Sequence, residues 1–425
     1  MLSIQLLRNE KERVLAGLRK KHFADLDLVD RILSLDEQRR KTQVEADALA
    51  ASINAASKSI GGLMAKGQKE EAEAAKAEVA QHKESAKTLT QQLDALEKEQ
   101  QDMLVLLPNM PHESVPAGRT PEENETLRTG GDKPVLEGGA LPHWELASKY
   151  RLIDFELGTK ITGSGFPVYL GQGAKLQRAL ISYFLDFNTA AGYQEVQPPH
   201  MVNAASAYGT GQLPDKEGQM YHATEDDLYL IPTAEVPVTN LYRDTIVETK
   251  NLPVKMTAYT PCFRREAGSY GKDVRGLNRV HQFDKVEIVQ LVEPEGSYGV
   301  HEEMVAHVER LIQSLGLHYR VLRLCGGDMS FASSLTYDFE VWSAAQERWL
   351  EVSSVSNFET FQTGRMKART KGADGKTVLL HSLNGSSLAL PRILACLLEQ
   401  NQTAEGIRVP EVLRPYFGAD IINSN

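Results

Sequence analysis

Two stretches of heptad-spaced residues limit what this chain can fold into more than anything else in it. Over residues 26–59 the sequence reads as uninterrupted helix. Apolar or small residues recur there and just beyond at alternating steps of four and three: Leu28, Ile32, Leu35, Arg39, Thr42, Ala46, Leu49, Ile53, Ala56, Ile60 and Leu63. That is a heptad seam whose weak points are Arg39 and Thr42. Gly61, Gly62 and Gly67 then cluster as helix breakers. A second seam follows at Ala72, Ala75, Val79, His82, Ala86, Leu89, Leu93, Leu96, Gln100, Met103 and Leu107. Two heptad helices joined by a short glycine-containing turn fold back as an antiparallel hairpin. At 1.5 Å per residue such an arm projects roughly 50 Å. Pro108 and Pro111 end it. Residues 1–108 are therefore expected to form a helical coiled-coil arm and residues 109–425 a second domain.

On the heptads alone, the arm serves equally well as a dimerisation coiled coil. Its outer face carries Arg31, Arg40, Lys41, Lys58, Lys66, Lys69, Lys76 and Lys83, but acidic residues offset them, which is the pattern of a solvated surface. His82, in the seam, reads as a packed histidine.

The 425-residue chain carries a formal charge of -10. Net acidity argues against bulk electrostatic wrapping of nucleic acid and leaves room for a local basic face. The three cysteines, Cys262, Cys325 and Cys396, are far apart with no C-x-x-C, which fits a reducing cytosol and argues against a disulfide framework or a zinc ribbon. The N-terminal stretch lacks the apolar core of a signal peptide, and no apolar run is long enough to span a bilayer.

Residues 109–139 are rich in Pro, Gly and Glu and read as a linker or an irregular surface segment. Beyond them, β-like runs (Asp227–Ile231, Val254–Tyr259, Val280–Leu291, Leu317–Leu324, Trp349–Val355, Val378–Leu383) intermix with helical patterns at Leu176–Ala191 and Val300–Leu315. The order is not a clean βαβα alternation, so the expected class is α+β on a largely antiparallel sheet flanked by helices.

The stretch FRREAGSYGKDVRGLNRVHQFDKVEIV, starting at Phe263, holds the chemistry. Read as a hairpin of Val254–Glu266 and Arg279–Val289, alternation puts Arg264 and Glu266 on one face, with Arg279, His281, Phe283, Lys285 and Glu287 on the same side of the second strand. Val280, Val286 and Ile288 point the other way. The loop between contains Gly268, Gly271 and Gly276. Charges alone would make an exposed salt-bridged hairpin. Phe283 among them asks for a flat partner, and arginine forks suit phosphate oxygens. A purine carrying a polyphosphate meets both demands. No P-loop and no G-x-G-x-x-G is present, so ATP would bind by another scheme. Near the C-terminus, a helix starting at Pro391 puts Arg392 in its first turn. The helix dipole disfavours a cation there unless an anion bridges the two.

GYQEVQPP (192–199), the Phe263 stretch and LNGSSLALPR (383–392) resemble motifs 1, 2 and 3 of class II aminoacyl-tRNA synthetases. With the N-terminal hairpin, TGQLP (210–214) and PTAE (232–235), the chain is similar along its whole length to the bacterial-type seryl-tRNA synthetase family. That resemblance implies the following roles. Arg264 grips the ATP α-phosphate and the serine carboxylate, Glu266 accepts from the adenine amino group, and Phe283 stacks on the ring. Arg279 and Arg392 hold the β/γ end, and Arg265, Val280, Val352 and Ser353 line the nucleotide site. Glu351 and Ser354 hold Mg²⁺, which requires a bulge because strict alternation puts them on opposite faces. Thr233, Ala234, Glu235 and Glu287 form the serine pocket, and Asn384 and Ser386 close it, with Ser387 an adjacent alternative. Pro199 belongs to a dimer-forming motif. The implied partners are ATP, L-serine, tRNA(Ser) and, where it exists, tRNA(Sec), with no DNA and no membrane. The implied assembly is a homodimer in which tRNA bridges the two subunits.

Two other classes remain open at this level. A relative that loads a carrier protein would keep the adenylating site but lack the arm. A non-catalytic relative would keep the arm as an interaction module, and the intact Arg264, Glu266, Glu287, Glu351 and Arg392 weigh against it. Cys262 has no His–Asp partner in the sequence and is a poor nucleophile candidate.

Overall fold

The computed structural model describes residues 1–136, 140–266, 275–372 and 374–423. The chain divides into two compact units, one made of Leu2–Arg19 and Phe23–Pro108, the other of Met1, Lys20–His22 and Asn109–Asn425.

In the first unit, helices α1 (Ile4–Asn9) and α2 (Lys11–Lys20) precede the long pair α3 (Leu28–Ala65) and α4 (Lys69–Leu104). The long helices run antiparallel: Ser52 faces His82 at 3.4 Å, and Arg39 faces Glu97 at 3.7 Å. The heptad positions are buried or half-buried along both helices, and Val29, Asp36 and Leu104 are buried beside them. α3 does not stop at Gly61–Gly62, as the glycines lead one to expect. Each costs about 1 kcal/mol in a helix interior, and the helix runs through both beside the half-buried Ile60 and Leu63. The chain turns only at Gly67, where φ is 76°. At the wide end, Asp36 is fully buried. Burial raises its pKa, but Gln100 donates at 3.2 Å and Arg8 lies at 2.7 Å, so the carboxyl is held below its ordinary range.

The second unit is built on eight strands: β1 (Glu125–Gly130), β2 (Gln194–Glu195), β3 (Val254–Phe263), β4 (Gln282–Val292), β5 (Tyr319–Arg323), β6 (Leu335–Ser343), β7 (Arg348–Asn357) and β8 (His381–Ala389). Their order is β1-β5-β6-β7-β8-β4-β3-β2. Every neighbouring pair is antiparallel except β2 with β3. Helices α5 (Gly171–Ala190), α7 (Ser297–Ser314) and α9 (Leu390–Gln400) cover one face, where Val286, Ile288, Phe339, Val341 and Val355 join Leu180, Leu311 and Leu394 in the main core. On the other face, Met256, Ala258, Val289 and Leu291 pack against Ala234 and Val238 around helix α6 (Glu235–Asn240).

Two expectations need correction. Residues 109–139 are not linker throughout, because β1 lies among them and pairs with β5; residues 137–139 lie outside the described residues. The run Val378–Leu383 is two strands, Thr377–Leu379 and β8, separated at the buried Leu380. Strand β6 was not anticipated, although its alternation is regular, with Tyr337, Phe339 and Val341 facing the core.

Candidate active site

Arg264 and Glu266 are not placed by strand alternation. β3 ends at Phe263 and β4 begins at Gln282. The Arg264 N–H still donates across to the His281 carbonyl at 2.8 Å, but the Arg265 N–H turns to the Gln219 carbonyl at 3.0 Å. Glu266 follows with φ 47°. A competing backbone acceptor thus draws the chain out of the ladder. Arg265 is exposed beyond the strand. The side chains nevertheless converge. The Arg264 guanidinium lies 5.2 Å over the Phe283 ring, and its Nε donates to the Pro232 carbonyl at 3.2 Å. Arg279 and Glu266 form an ion pair at 3.1 Å. Gly268 and Gly271 lie outside the described residues.

Beside Arg264 is a buried polar pocket. Thr233 donates to Glu287 at 3.3 Å and accepts from the Glu235 N–H at 3.2 Å. Lys285, two positions from Glu287 on the same face of β4, pairs with its carboxylate. Gln362, on helix α8 (Phe361–Met366), donates to Glu235 and to the Thr210 carbonyl. The Ser382 hydroxyl donates to the other end of that amide at 2.7 Å and fixes its orientation. Ser386 lies opposite Glu287 in the β4–β8 register. Ser387 is turned away, its hydroxyl donating to Asn188 at 2.9 Å. The Asn384 amide nitrogen is buried without a hydrogen bond among the described residues. Burial and the adjacent Glu287 charge push the Glu235 carboxyl up to about 7, although Gln362 and Lys285 favour its charged form. Gln362 and Lys285 were missed as site residues: Gln362 carries no local signal, and Lys285 reads as one more charge on a strand.

At the far end, β6 and β7 lose register. Phe339 pairs with Ser353 and Glu340 with Glu351, so Val352 is an extra residue. This bulge brings Glu351 and Ser354 to one face. Arg392 donates from Nε to the Asn278 carbonyl at 3.0 Å and from Nη1 to the Glu351 carbonyl at 2.9 Å, and lies 3.7 Å from the Glu351 carboxylate. Asp338, opposite Ser354, is buried. Burial and Glu351 raise its pKa well above the ordinary value, and its Oδ1 has no hydrogen-bond partner among the described residues. Ala234, Val280, Val352 and Ser353 are buried, so a ligand would meet their backbone and not their side chains. Cys262 is buried, and burial raises its thiol pKa, which suits an inert packed cysteine.

No group of three or more His, Cys, Asp or Glu side chains is arranged for a metal among the described residues. One half-exposed carboxylate with a hydroxyl beside it still fits Mg²⁺ as ATP carries it, because that ion keeps waters and phosphate oxygens and needs only one or two protein ligands. Also among the described residues, no helix is long and apolar enough to cross a membrane.

An antiparallel sheet bearing arginines around an aromatic ring, a buried carboxylate pocket and a strand-to-helix arginine defines a class II aminoacyl-tRNA synthetase core. Residues 219–401 match the family model described as the tRNA synthetase class II core domain (G, H, P, S and T). Residues 1–111 match the seryl-tRNA synthetase N-terminal domain. The chain is 49% identical over 420 residues to the serine–tRNA ligase of Salinibacter ruber, covering 98% of both. It is 48% identical to that of Akkermansia muciniphila, covering 99% of both. The seryl-tRNA synthetase from Pyrococcus horikoshii, complexed with ATP, superposes with a TM-score of 0.93 at 33% identity over 100% of each chain. The chain belongs to the seryl-tRNA synthetase family.

Proposed function

We propose that this chain is a serine–tRNA ligase, activating L-serine with ATP and transferring it to tRNA(Ser), and to tRNA(Sec) where that tRNA exists. The carrying observation is the position of Arg264. It is tied to Pro232 at the mouth of the Thr233–Glu235–Glu287 pocket while lying over Phe283. One guanidinium there reaches both a serine carboxylate and an α-phosphate. The serine carboxylate oxygen attacks the α-phosphorus in line, the bond to the bridging oxygen breaks, and pyrophosphate leaves. Charge on the five-coordinate phosphorus is met by Arg264, and Arg279 and Arg392 hold the departing end. Glu351 and Ser354 would hold the Mg²⁺ that ATP carries, and that ion would supply further positive charge to the phosphates. A terminal ribose hydroxyl of the tRNA then attacks the seryl carbonyl and AMP leaves.

Serine is small, so methylene burial gives little selectivity, whereas a pocket of buried polar groups penalises analogues lacking the hydroxyl. Glu266 reads the adenine amino group, and Asn384 and Ser386 close the serine pocket. Within residues 1–108 the long hairpin acts as the tRNA-binding arm, and residues 109–425, joined by Lys20–His22, act as the catalytic domain. The enzyme works as a homodimer in the cytoplasm, with one subunit's arm presenting tRNA to the other's site. The three free cysteines agree with a reducing compartment. Pyrophosphate exchange measured with each of the twenty amino acids tests the activation reading; exchange with serine alone is expected, and exchange with another amino acid would overturn it.

Two outcomes follow from the pocket. Glu287→Gln keeps the shape and loses the charge that pairs with an ammonium or hydroxyl. The KM for serine is expected to rise about tenfold or more while that for ATP moves less than about twofold. A rise confined to ATP would put Glu287 on the nucleotide side. Glu235 gives a pH dependence. Its proton stays bound in the folded chain up to about pH 7 and leaves the unfolded chain near the ordinary 4.5. Its contribution to stability is therefore full below 4.5 and is lost as pH rises through 7. A serine ammonium favours the carboxylate, so the KM for serine should fall about tenfold between pH 6 and pH 8. A flat profile, or one unchanged in Glu235→Gln, would remove Glu235 from ammonium binding.

A further inference from the structure

We infer that His143 and Glu399 form a buried clamp that positions residues 275–279, and through Asn278 the guanidinium of Arg392, for ATP. Both are positioning residues outside the substrate contacts, and the inference rests on the reading of Arg279 and Arg392 as nucleotide-binding groups.

His143 and Glu399 are fully buried. The His143 Nδ1–H donates to Glu399 Oε1 at 2.9 Å, and the His143 backbone N–H donates to the same oxygen at 3.0 Å. Glu399 Oε2 accepts from the Ser343 hydroxyl and, at 3.1 Å, from the Ala345 N–H. Burial raises the Glu399 pKa, but His143 and Ser343 outweigh it, so the group is held below its ordinary value as a carboxylate. The second imidazole nitrogen, Nε2, accepts from the Leu277 N–H at 2.9 Å. Both ring nitrogens are therefore committed, and the ring is the neutral tautomer protonated at Nδ1. Apolar side chains of similar volume would often serve stability as well as such a buried polar pair. What they could not do is hold a backbone amide two residues before Arg279 at a fixed distance.

The segment itself is shaped to the clamp. Gly276 has φ 64°, and a Cβ there would lie 2.3 Å from His143 Nε2. Only glycine permits this approach. Arg275 stacks 4.5 Å over Trp144, which meets His143 edge-on at 4.9 Å. Asn278 donates to Gln346 at 2.8 Å, and Gln346 donates to Ser343 at 2.7 Å and to Glu399 at 3.4 Å. The Asn278 carbonyl, so fixed, accepts from Arg392 Nε. Asn278 and Leu277 thus connect the clamp to both arginines of the triphosphate end.

The test is calorimetric titration of the full chain with ATP alone, alongside the KM for serine in pyrophosphate exchange. His143→Leu should weaken ATP binding about tenfold or more, because displacement by an ångström is costly where orientation carries binding. The KM for serine should stay within about twofold. His143→Gln, whose side-chain carbonyl can accept from Leu277, should recover most of the loss. Gly276→Ala, a substitution outside the core, should reproduce the His143→Leu effect and carries the test if that variant does not fold. Wild-type ATP affinity in Gly276→Ala, or equal losses for ATP and serine, would overturn the clamp. Serine-dependent exchange in the wild type reports separately on the functional reading.

Discussion

Arg264→Ala is expected to lower serine-dependent pyrophosphate exchange by about a hundredfold or more. One donor aimed at developing charge in a water-poor site is worth roughly 3–4 kcal/mol of barrier. The geometry makes Arg264 difficult to replace. Its Nε is committed to the Pro232 carbonyl and its guanidinium lies over the Phe283 ring, so the side chain is held from two sides. Loss of the side chain removes the contact to carboxylate and phosphate together, so kcat should fall as well as affinity. Arg264→Lys should rescue little, because a point charge cannot reproduce the fork. Exchange within tenfold of the wild type would remove Arg264 from the reaction and with it the assignment of the site.

Shortening the arm should separate the two half-reactions. The clean cut is within the hairpin. Lys20–His22 belong with the catalytic unit, where Lys21 donates to the Ser330 carbonyl at 2.8 Å and also to that of Ser333. Removal of residues 1–108 would therefore damage more than an arm. Ser52 faces His82 and Arg39 faces Glu97, so Thr42 and Leu93 lie near one another across the pair. Excising residues 43–92 and closing the gap with a short glycine turn keeps the Asp36 cluster and removes Lys58, Lys66, Lys69, Lys76 and Lys83. Serine-dependent pyrophosphate exchange should stay within about twofold, because no proposed activation residue lies there. Charging of tRNA should fall on the order of a hundredfold, with a shallower salt dependence of binding, as phosphate contacts and their released counterions are lost. Normal charging would mean that the arm does not bind RNA. A change to monomer would mean that it is a dimerisation coiled coil.

Much of this was legible beforehand because it is local. A heptad repeat needs only one helix and its nearest partner, so Leu28, Ile32, Leu35, Val79 and the rest of the seams could be read directly, and only the glycine stop was misjudged. Motif residues such as Arg264, Phe283, Glu287 and Arg392 were identified by type and spacing. Their placement was less legible. Alternation was expected to aim Arg264 and Glu266, and it fails because Arg265 finds the carbonyl of Gln219, far away in sequence.

The sequence by itself determined the two-helix arm, the α+β class and the family motifs, each of which follows from side-chain period or from residues close together along the chain. The need for a bulge near Glu351 came from the roles that the family resemblance implied for Glu351 and Ser354. Only the tertiary structure decided where the bulge falls, at Val352 between β6 and β7. It alone showed the Ser387 hydroxyl committed to Asn188. It alone joined Gln362 to Glu235 and His143 to Glu399. Those pairings are hydrogen bonds between segments more than a hundred residues apart. Burial makes each partner obligatory, and no local pattern names it.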